Sequence, residues 1–417
     1  MSSAAPTRWT DAAMRKRVRR RYSSERWFRG LGLAAVALSV LFLAFLLYAM
    51  ASKGIGGFSH YQARLPIDFA RSDLFLDPAT LRGSDAAQTV AGADLEGTIS
   101  KAATAAYGPS AERMFGDAAV ARLSEEIVAN PDVLKGQAMF WLPVSSKVDI
   151  AAKDQSDSAS EQLVSALQQK DALKRSFNTR FLTASDSTDS SSVGVWGALK
   201  GTFFTILVTM ALAFPIGVLA AVYLEEFAPR NRWTDMIEVS INNLAAVPSI
   251  IFGLLGLAMF LNTMNLPRSA PLVGGMTLAL MTMPVIVIAG RNAIKTVPPS
   301  IRDAALGVGA SKMQVTFHHV LPLALPGILT GTIIGMARAL GETAPLLMIG
   351  MRAFVAAPPG GIADPATVLP VQIFLWSDEV DRGFVEKTSA AIIVLLLFML
   401  VMNGLAIYLR NRFERRW

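Results

Sequence analysis

Long uncharged runs of apolar residues alternate with charged segments along the chain, and their lengths predict helices that cross a membrane. The first run, Gly30–Ser52, contains no charged residue. A helix needs about 20 apolar residues to cross a bilayer, so this run is long enough. Because the apolar core of a signal peptide is shorter, about 7–15 residues, we expect residues 30–52 to remain as an uncleaved first transmembrane helix.

Five further apolar runs follow in the second half of the chain, and each predicts one more span. They are Gly201–Leu224, Val239–Pro267, Ser269–Gly290, Val320–Ala337 with a continuation past charged positions, and Thr388–Leu409. Prolines lie within some of these runs, and a helix bundle tolerates them because neighbouring helices, hydroxyl side chains or water can bind the freed carbonyls. The pattern predicts an all-α integral membrane protein with six transmembrane helices.

Basic residues flank the apolar runs in positions that predict the orientation of the chain. Residues 1–29 form a strongly basic tail, and Arg410–Arg416 is a basic C-terminal segment. The loops on the same predicted side contain Arg230, Arg232, Arg291, Lys295, Arg302 and Lys312. Because cytoplasmic loops of membrane proteins carry an excess of Lys and Arg, we expect both termini in the cytoplasm. An even number of spans requires the same arrangement.

Residues 53–195, between the first and second spans, have the mixed charged and polar composition of a water-exposed domain. Ala118–Val128 and Ser160–Phe177 show helical periodicity. Ser185–Ser192 is a polar run that is typical of a flexible linker. No catalytic constellation is apparent in this sequence. Since the first span leads outward, we expect a mainly helical, extracytoplasmic inserted domain with a Ser-rich linker and a structural or docking role.

Composition limits the function further. With 52% hydrophobic and 17% charged residues and a mean hydropathy of +0.41, the chain is too apolar for an ordinary soluble protein. A net charge of +7 is also found in nucleic-acid-binding proteins, but here the basic residues lie beside apolar runs. We therefore expect membrane lipid as a partner and no nucleic acid. Because cysteine is absent and the three histidines are scattered, we expect no metal site and no cofactor.

A short loop between the fourth and fifth apolar runs carries several local signals. Ser300 and Asp303 have the spacing of a capping box, which predicts that a short helix starts there. The Ala304-Ala305 pair adds little bulk, so another protein can approach the backbone of that helix closely. Gly307 and Gly309 favour a turn because glycine adopts positive φ without steric cost. A second short helix is expected at Ser311–His318.

This loop, residues 291–322, resembles the cytoplasmic EAA loop of bacterial ABC-importer permeases. The matching positions are Asp303, Ala304, Ala305, Gly309 and Leu321-Pro322. Asp303 stands where that family has Glu, which keeps a negative charge near the helix N-terminus, and His319 stands where Ile is usual. The resemblance implies that Asp303, Ala304, Ala305 and Gly309 couple the chain to a separate ATPase. An ordinary connector between two spans is the alternative.

Two charged residues lie in the fifth span beside a stripe of small residues. The stripe consists of Gly327, Gly331, Gly335 and Ala339. Its spacing lets two helices approach closely. Arg338 and Glu342 are four residues apart and share a face that flanks the stripe, away from lipid. An Arg in a membrane costs at least about 2.5–3.5 kcal/mol, so we expect it to bind an oxyanion transiently, with Glu342 orienting it. A purely structural ion pair is the alternative.

The sequence around this pair resembles a family signature. Arg338–Leu347 looks like the signature of the PstA-type second permease subunit of the bacterial high-affinity phosphate importer, and Asn243–Gly253 resembles the third-span motif of that family. The Arg-x-x-Gly-Glu part also occurs in sulfate and molybdate permeases. Thr343-Ala344-Pro345 and Val247-Pro248-Ser249 narrow the resemblance to phosphate.

The resemblance covers roughly residues 196–417 and implies that they form an ABC-transporter permease core with five transmembrane helices. Residues 53–195 look like the extra domain that some phosphate permeases carry. The implied function is that of a permease subunit of an ATP-driven inorganic phosphate importer in the bacterial cytoplasmic (inner) membrane. Such a subunit forms half of the transmembrane pathway, and the resemblance places Arg338 and Glu342 in it.

The resemblance also implies partners: a homologous second permease subunit in a heterodimer, two ATP-binding subunits and an extracytoplasmic phosphate-binding protein. The chain itself is not expected to be an enzyme or to bind ATP, because its glycine-rich run Gly307–Lys312 lacks the spacing of a P-loop. Two alternatives remain open. One is a permease for another oxyanion, namely sulfate, molybdate or phosphonate, and the other is a membrane receptor that senses a ligand through residues 53–195.

Overall fold

The computed structural model describes residues 12–413 except 73, 75, 79, 84, 155–157 and 352–353. Helices account for most of these residues, and the strands among them lie between residues 59 and 177. The predicted helical membrane fold with an inserted domain is confirmed, with a small sheet in addition. The outer ends of the two predicted basic tails, residues 1–11 and 414–417, lie outside the described residues. The chain divides into two compact units, residues 1–53 and 54–417.

The described part of the first unit is helical and belongs to α1 (Ala12–Gly57), whose last turn lies in the second unit. The 46 residues of α1 extend over about 70 Å, roughly twice the hydrocarbon thickness of a bilayer. Its apolar stretch is exposed throughout, as a surface that faces lipid requires. Residues 12–29 continue the same helix because Arg, Lys and Ala are good helix formers and no Gly or Pro occurs among them.

After α1, residues 58–195 combine a three-stranded sheet with short helices, and we call them the inserted domain. Its elements are β1 (Ser59–Asp68), α2 (Ala86–Ala91), α3 (Leu95–Tyr107), α4 (Asp117–Ala129), β2 (Gln137–Pro143), α5 (Ser146–Asp154), α6 (Ser158–Gln169), β3 (Leu173–Phe177) and α7 (Thr179–Thr183), with 3-10 turns at Phe69–Arg71, Thr80–Arg82, Pro109–Ala111 and Pro131–Lys135. The strands are antiparallel in the order β2-β1-β3. Leu65 pairs with Phe140, and Tyr61 pairs with Arg175.

The hydrophobic core of the inserted domain lies between one face of the sheet and the surrounding helices. Its fully buried side chains include Leu65 and Ile67 of β1 and Leu123 and Ile127 of α4. Alternate residues of β1 enter this core because successive side chains of a strand point to opposite faces. The helix predicted at Ala118–Val128 is confirmed as α4.

Two expectations for the inserted domain are corrected by the structure. The predicted helical segment Ser160–Phe177 is α6 followed by the strand β3. Asp171, between them, adopts a left-handed backbone with φ of +48°, which ends the helix and turns the chain towards β1. The run Ser185–Ser192 is not a solvated linker, since several of its serines are buried and Ser190 is completely so.

Residues 196–413 form a bundle of long apolar helices. Its helices are α8 (Trp196–Val222), α9 (Arg232–Ala245), α10 (Ser249–Gly256), α11 (Pro271–Lys295), α12 (Pro299–Gly307), α13 (Lys312–Gln314), α14 (Leu321–Gly341), α15 (Ala344–Met348), α16 (Leu369–Ser377) and α17 (Gly383–Phe413). Wider π turns continue α8, α10 and α13 at Tyr223–Phe227, Leu257–Thr263 and Val315–Val320. Within the described ranges and including α1, five helices can cross a membrane, and α9 with α10 makes a bent sixth.

The third predicted span, Val239–Pro267, is broken rather than continuous. Its two halves, α9 and α10, are bent by 100° at a break around Ala246–Pro248. Pro248 lacks an N–H donor and pushes Val247 out of the α region, so the helix cannot continue through this point. The absence of charge in this run predicted its length but not its bend.

The small-residue stripe of α14 packs against α11, as its spacing predicts. A Cβ atom added to Gly327 would lie 2.7 Å from Cβ of Ala293, and Gly331 approaches Ala289 in the same way. Any larger side chain at these glycines would push the two helices apart. This close packing fixes α14, and with it the charged pair at its C-terminal end.

Candidate functional site

The two charged residues of the fifth span lie at the C-terminal end of α14. Arg338 is in the last turn, and Glu342 directly follows the final residue, Gly341. Nε of Arg338 is 3.5 Å from Oε1 of Glu342. A cation in the last helical turn interacts favourably with the helix dipole and offsets the carboxylate beside it. The two side chains therefore form a local ion pair within one segment.

Arg338 is not enclosed by this chain. Its side chain is 45% exposed, and that of Glu342 is 20% exposed. Ile334, one turn earlier on the same face, is also exposed, whereas Gly335 and Ala339 on the adjoining face are buried. Among the contacts of the described residues, the guanidinium meets Glu342 through Nε and its Nη groups have no acceptor. A guanidinium with available forked donors on a surface can bind an oxyanion.

The segment that follows Glu342 contacts the second motif quoted above. α15 begins at Ala344, and Gly253 of α10 packs against it. A Cβ atom on Gly253 would lie 2.7 Å from Cα of Pro345 and 2.9 Å from Cβ of Met348. The bend after α9 thus brings Asn243–Gly253 beside the segment that directly follows Arg338 and Glu342. Sequence reasoning singled out both motifs without predicting that they touch.

The predicted coupling residues lie on and after α12. Asp303 and Ala304 are exposed, whereas Ala305 is buried at 7% exposure. Gly309 has φ of +90°, a left-handed conformation that favours glycine, and a Cβ atom there would meet open space. The turn at Gly309 is therefore confirmed, whereas Gly307 is the last residue of α12 and does not have positive φ.

The start of α12 differs from the prediction. Its N-cap position is Pro298, and no side chain caps it, so the predicted Ser300–Asp303 capping box is wrong. Proline near the first helical position needs no cap for its missing N–H. The capping box of this loop is at Ser311 and Gln314 instead. The second short helix predicted at Ser311–His318 runs through a π turn directly into α14, as expected from the apolar stretch that follows it.

Large apolar side chains are exposed around this loop. They are Leu306, Val308, Met313 and Phe317, with exposed fractions of 51%, 87%, 56% and 38%. Exposed apolar patches of this kind mark surfaces that contact another protein. Sequence reasoning noted the small residues of the loop but not this surface around them.

Two successive carboxylates at the end of α8, Glu225 and Glu226, bind arginines from two other segments. Oε1 of Glu226 accepts hydrogen bonds from Nη2 and Nε of Arg302 on α12, at 2.7 and 3.1 Å. Oε2 of Glu225 is 3.4 Å from Nε of Arg291 on α11. Nη2 of Arg291 also donates to Glu238 of α9 at 2.9 Å. We call Glu225 and Glu226 the acidic fork.

A second group of charges joins the inserted domain to the start of α17. Nζ of Lys153 on α5 donates to Oε2 of Glu386 on α17 at 2.8 Å and lies 2.7 Å from Oδ2 of Asp149. The same ammonium donates to the carbonyls of Gly56 and Ser59 at 2.9 Å each. The side chain of Lys153 is only 10% exposed. We call Asp149, Lys153 and Glu386 the junction cluster.

Other polar groups surround the junction cluster. Nζ of Lys387, a residue with 5% exposure, donates to the carbonyl of Gly57 at 3.1 Å. Asp381 accepts a hydrogen bond from Oγ of Ser190 at 2.6 Å. Burial lowers the pKa of His60 to about 4, although the nearby carboxylate of the junction cluster acts in the opposite direction. Sequence reasoning missed both the junction cluster and the acidic fork. The one available signal was for the fork, because Glu225 and Glu226 directly follow the uncharged run Gly201–Leu224.

The inserted domain also contains a cavity of about 540 Å³. Its lining includes His60, Arg122, Glu125, Ser176 and Arg180. Glu125 lies 3.0 Å from Arg180 and 3.7 Å from Arg122, so opposite charges pair along its wall. In the part of the chain that the structure describes, no group of three or more His, Cys, Asp or Glu side chains is arranged to hold a metal.

Comparison with known families separates two parts of the chain. Residues 213–416 match the family described as "Binding-protein-dependent transport system inner membrane component". Residues 15–162 match a family described as "Domain of unknown function (DUF3333)". The first match contains both the charged pair and the loop around α12, and the second covers α1 and most of the inserted domain.

Individual relatives carry permease names. The chain is 30% identical over 222 residues to the "Phosphate transport system permease protein PstA" of Haemophilus influenzae, covering 53% of this chain and 77% of that protein. It is 36% identical to "Phosphate transport system permease protein PstA 1" of Mycobacterium tuberculosis, covering 37% of this chain and 51% of that protein. It is 34% identical to the "Probable ABC transporter permease protein YqgI" of Bacillus subtilis, covering 40% and 57%. The chain thus spans about half the length of the last two relatives.

Proposed function

Because this chain belongs to the PstA family of phosphate transport system permease proteins, we propose that it forms half of the membrane pathway of an ATP-driven importer of inorganic phosphate. The observation that carries this proposal is the half-exposed guanidinium of Arg338, which Glu342 contacts through one nitrogen. The remaining donors match the oxygens of phosphate in geometry and charge. The chain is a multi-pass inner membrane protein.

Arg338 and Glu342 have different roles in this proposal. A phosphate ion that leaves water needs a compensating charge, and Arg338 supplies it at the end of α14. Glu342 holds the guanidinium and reduces its net attraction, so the bound anion can leave again. The break in the helix after Gly341 places Glu342 on an irregular backbone segment next to the turn that contains Arg338, and such a segment is tolerated in a membrane where it lines a cavity.

The loop of residues 291–322 couples this pathway to ATP hydrolysis by separate subunits. Asp303 and Ala304 are exposed on α12, and the neighbouring apolar patch supports a protein contact at this surface. The small side chain of Ala304 permits close approach, and the turn at Gly309 sets the direction in which α12 is presented. The relatives are transporter components rather than enzymes, and ATP hydrolysis belongs to the two ATP-binding partners.

The remaining partners are a second, homologous permease subunit in a heterodimer and an extracytoplasmic phosphate-binding protein. Large apolar side chains of α10 are exposed, as expected of a helix that packs against lipid or against another subunit. They are Ile250, Ile251, Leu254 and Leu255. Residues 196–417 form the permease core in this proposal, and residues 53–195 lie outside the cytoplasmic membrane. Both termini are cytoplasmic, as the basic flanks favour.

Phosphate uptake by the assembled transporter in lipid vesicles tests the proposal. Radiolabelled phosphate should accumulate with ATP, and sulfate, molybdate or phosphonate in excess should compete poorly. Arg338→Gln should nearly abolish uptake per inserted molecule, and Arg338→Lys should reduce it because the charge remains while the forked donors are lost. Arg230→Gln, at an exposed arginine outside the pathway, is the matched control.

Two results would count against the proposal. Strong competition by sulfate or molybdate would assign the pathway to another oxyanion. Full uptake by correctly inserted Arg338→Gln would leave the Arg338–Glu342 pair as a structural contact only.

A further inference from the structure

We propose that Arg302 and Glu226 are positioning residues that transmit movement of α12 to the ends of α8 and α11. The inference rests on the proposed function, because a partner ATPase supplies the movement of α12. It extends that function by identifying which contacts within this chain carry the movement from the exposed loop into the helix bundle.

The guanidinium of Arg302 is bound at four points. Its Nε and Nη2 donate to Oε1 of Glu226 at 3.1 and 2.7 Å. Its Nη1 donates to the carbonyl of Val297 at 2.7 Å, and Nη2 donates to the carbonyl of Ile294 at 3.0 Å. Ile294 is in the last turn of α11, and Val297 directly follows the C-cap residue Thr296. Because the donors of a guanidinium are fixed in one plane, this single side chain holds α12 against two spans in one geometry.

Arg302 has the position in α12 that a transmitting residue needs. It directly precedes the exposed Asp303, and successive helical residues point about 100° apart, so the two face different directions. The side chain of Arg302 is 23% exposed, and that of Glu226 is 9% exposed. The only buried residue of the nine in α12 is Ala305, whose methyl group offers no polar contact. Ala305 and the partly buried Ile301 pack on the hydrophobic core of the bundle, and the guanidinium of Arg302 adds polar contacts that attach α12 to α8 and to the end of α11.

The acidic fork extends the connection to the pathway segment. Glu225 binds Arg291, and Arg291 binds Glu238 on α9, the first half of the bent span. The second half, α10, packs through Gly253 on Pro345, three residues after Glu342. A continuous series of ion pairs and packed helices thus leads from α12 to the Arg338–Glu342 pair. Such a series is a transmission route only if substitutions in it change the coupling between ATP hydrolysis and transport, which can be measured.

A spin label on the loop tests the positioning role without any transport. The chain contains no cysteine, so Val308→Cys provides a single labelling site at a side chain that is 87% exposed. In the full-length protein in lipid nanodiscs, Arg302→Gln and Glu226→Gln should each increase the mobility of this label. Arg230→Gln should leave it unchanged. Unchanged label mobility in both Arg302→Gln and Glu226→Gln would overturn the inference.

Uptake per ATP hydrolysed tests the transmission role in the assembled transporter. Arg302→Gln should lower this ratio by about fivefold or more, within the range of allosteric coupling effects, while the ATP-binding subunits still co-purify. Arg302→Lys should give an intermediate ratio. The double variant Glu226→Arg/Arg302→Glu restores the ion pair without the two carbonyl contacts, so it should recover the ratio in part. If Arg302→Gln inserts poorly, Glu226→Gln replaces it in this assay, because glutamine keeps the shape of the glutamate side chain.

The outcomes separate this inference from the proposed function. A normal uptake-to-ATP ratio in Arg302→Gln and Glu226→Gln would overturn the transmission role, even with a mobile label. Loss of co-purification in these variants would also overturn it, because docking rather than transmission would then need the pair. If the unaltered transporter takes up no phosphate, the proposed function fails, and label mobility still decides whether Arg302 positions the loop.

Discussion

The junction cluster and the acidic fork each attach an added segment to the membrane helices, but they differ in contact with water. Lys153 of the junction cluster is 10% exposed and binds two carboxylates. Around the fork, Arg302 and Glu226 are 23% and 9% exposed, whereas the outer partners Glu238 and Lys295 are 38% and 49% exposed. A charge whose partner is removed is strongly destabilising when buried, whereas partly hydrated pairs contribute less and exchange with water more easily. The comparison indicates a permanent attachment at α17 and an adjustable one at the outer ion pairs of the fork, around Arg291 and Glu225.

Removing the central cation of the junction cluster should give the largest effect. Lys153→Met leaves Asp149 and Glu386 unpaired, so the free energy of unfolding should fall by about 3–5 kcal/mol. Thermal unfolding of the full-length protein in mild detergent measures this. Lys147→Met on the same helix removes an exposed lysine and should have little effect. Similar stability of the two variants would contradict the idea of a permanent attachment.

Acid should weaken the junction side of the molecule through His60. Its pKa is about 4 in the folded protein against an ordinary 6.5, so the unfolded chain binds the proton first as pH falls. The contribution of His60 to stability is therefore complete above pH 6.5 and is lost between about pH 6.5 and 4, by up to about 3 kcal/mol. Unfolding measured at pH 7.5 and 5 should show this loss in the wild type and a smaller one in His60→Gln. Equal pH dependence in the wild type and His60→Gln would show that His60 does not cause the loss of stability.

Removal of an arginine that binds the acidic fork should destabilise the protein less than Lys153→Met does. Arg291→Gln removes contacts with Glu225 and Glu238, of which the second is well exposed, so we expect a loss of about 1–2 kcal/mol. The same unfolding assay applies, with Arg230→Gln as the control. A loss as large as that of Lys153→Met would show that the two attachments are equally rigid.

Added salt should have the smallest effect, and it should weaken the ion pairs of the acidic fork but not those of the junction cluster. Between about 0.05 and 0.5 M NaCl, the screening length falls well below the about 10 Å found at 0.1 M, and exposed pairs weaken most. Mobility of a spin label at Val308→Cys should rise slightly with salt, whereas a label near the junction cluster should not respond. Equal responses at the two positions would remove the distinction between them.

The sequence predicted those features that depend on local composition. Uncharged runs located the spans, and the spacing of Gly327 and Gly331 predicted a close helix contact, although not that α11 is the partner. The bend at Pro248 was missed because an uncharged run shows its length and not its direction. The strand β3 was read as helix because Leu173 and Phe177 also fit a spacing of four residues, and only pairing with β1 decides between the two.

The charged contacts could not be predicted because their partners are distant in the chain. Lys153 and Glu386 are separated by 233 residues, and Glu226 and Arg302 by 76. Nothing in the local pattern of either residue identifies its partner. The Arg338–Glu342 ion pair could be predicted because the two residues are four apart in the chain, while the contact of their segment with Gly253 depends on how two spans fold back on each other.

The junction cluster also sets an order for biogenesis. Lys153 meets Glu386 only after 233 further residues have been made, which takes roughly 10–50 s at bacterial rates of synthesis. During that time the newly made inserted domain holds an ammonium group without its partner on α17. α17 therefore supplies a carboxylate to a domain that was synthesised long before it, and a chain truncated before α17 leaves Lys153 without that partner.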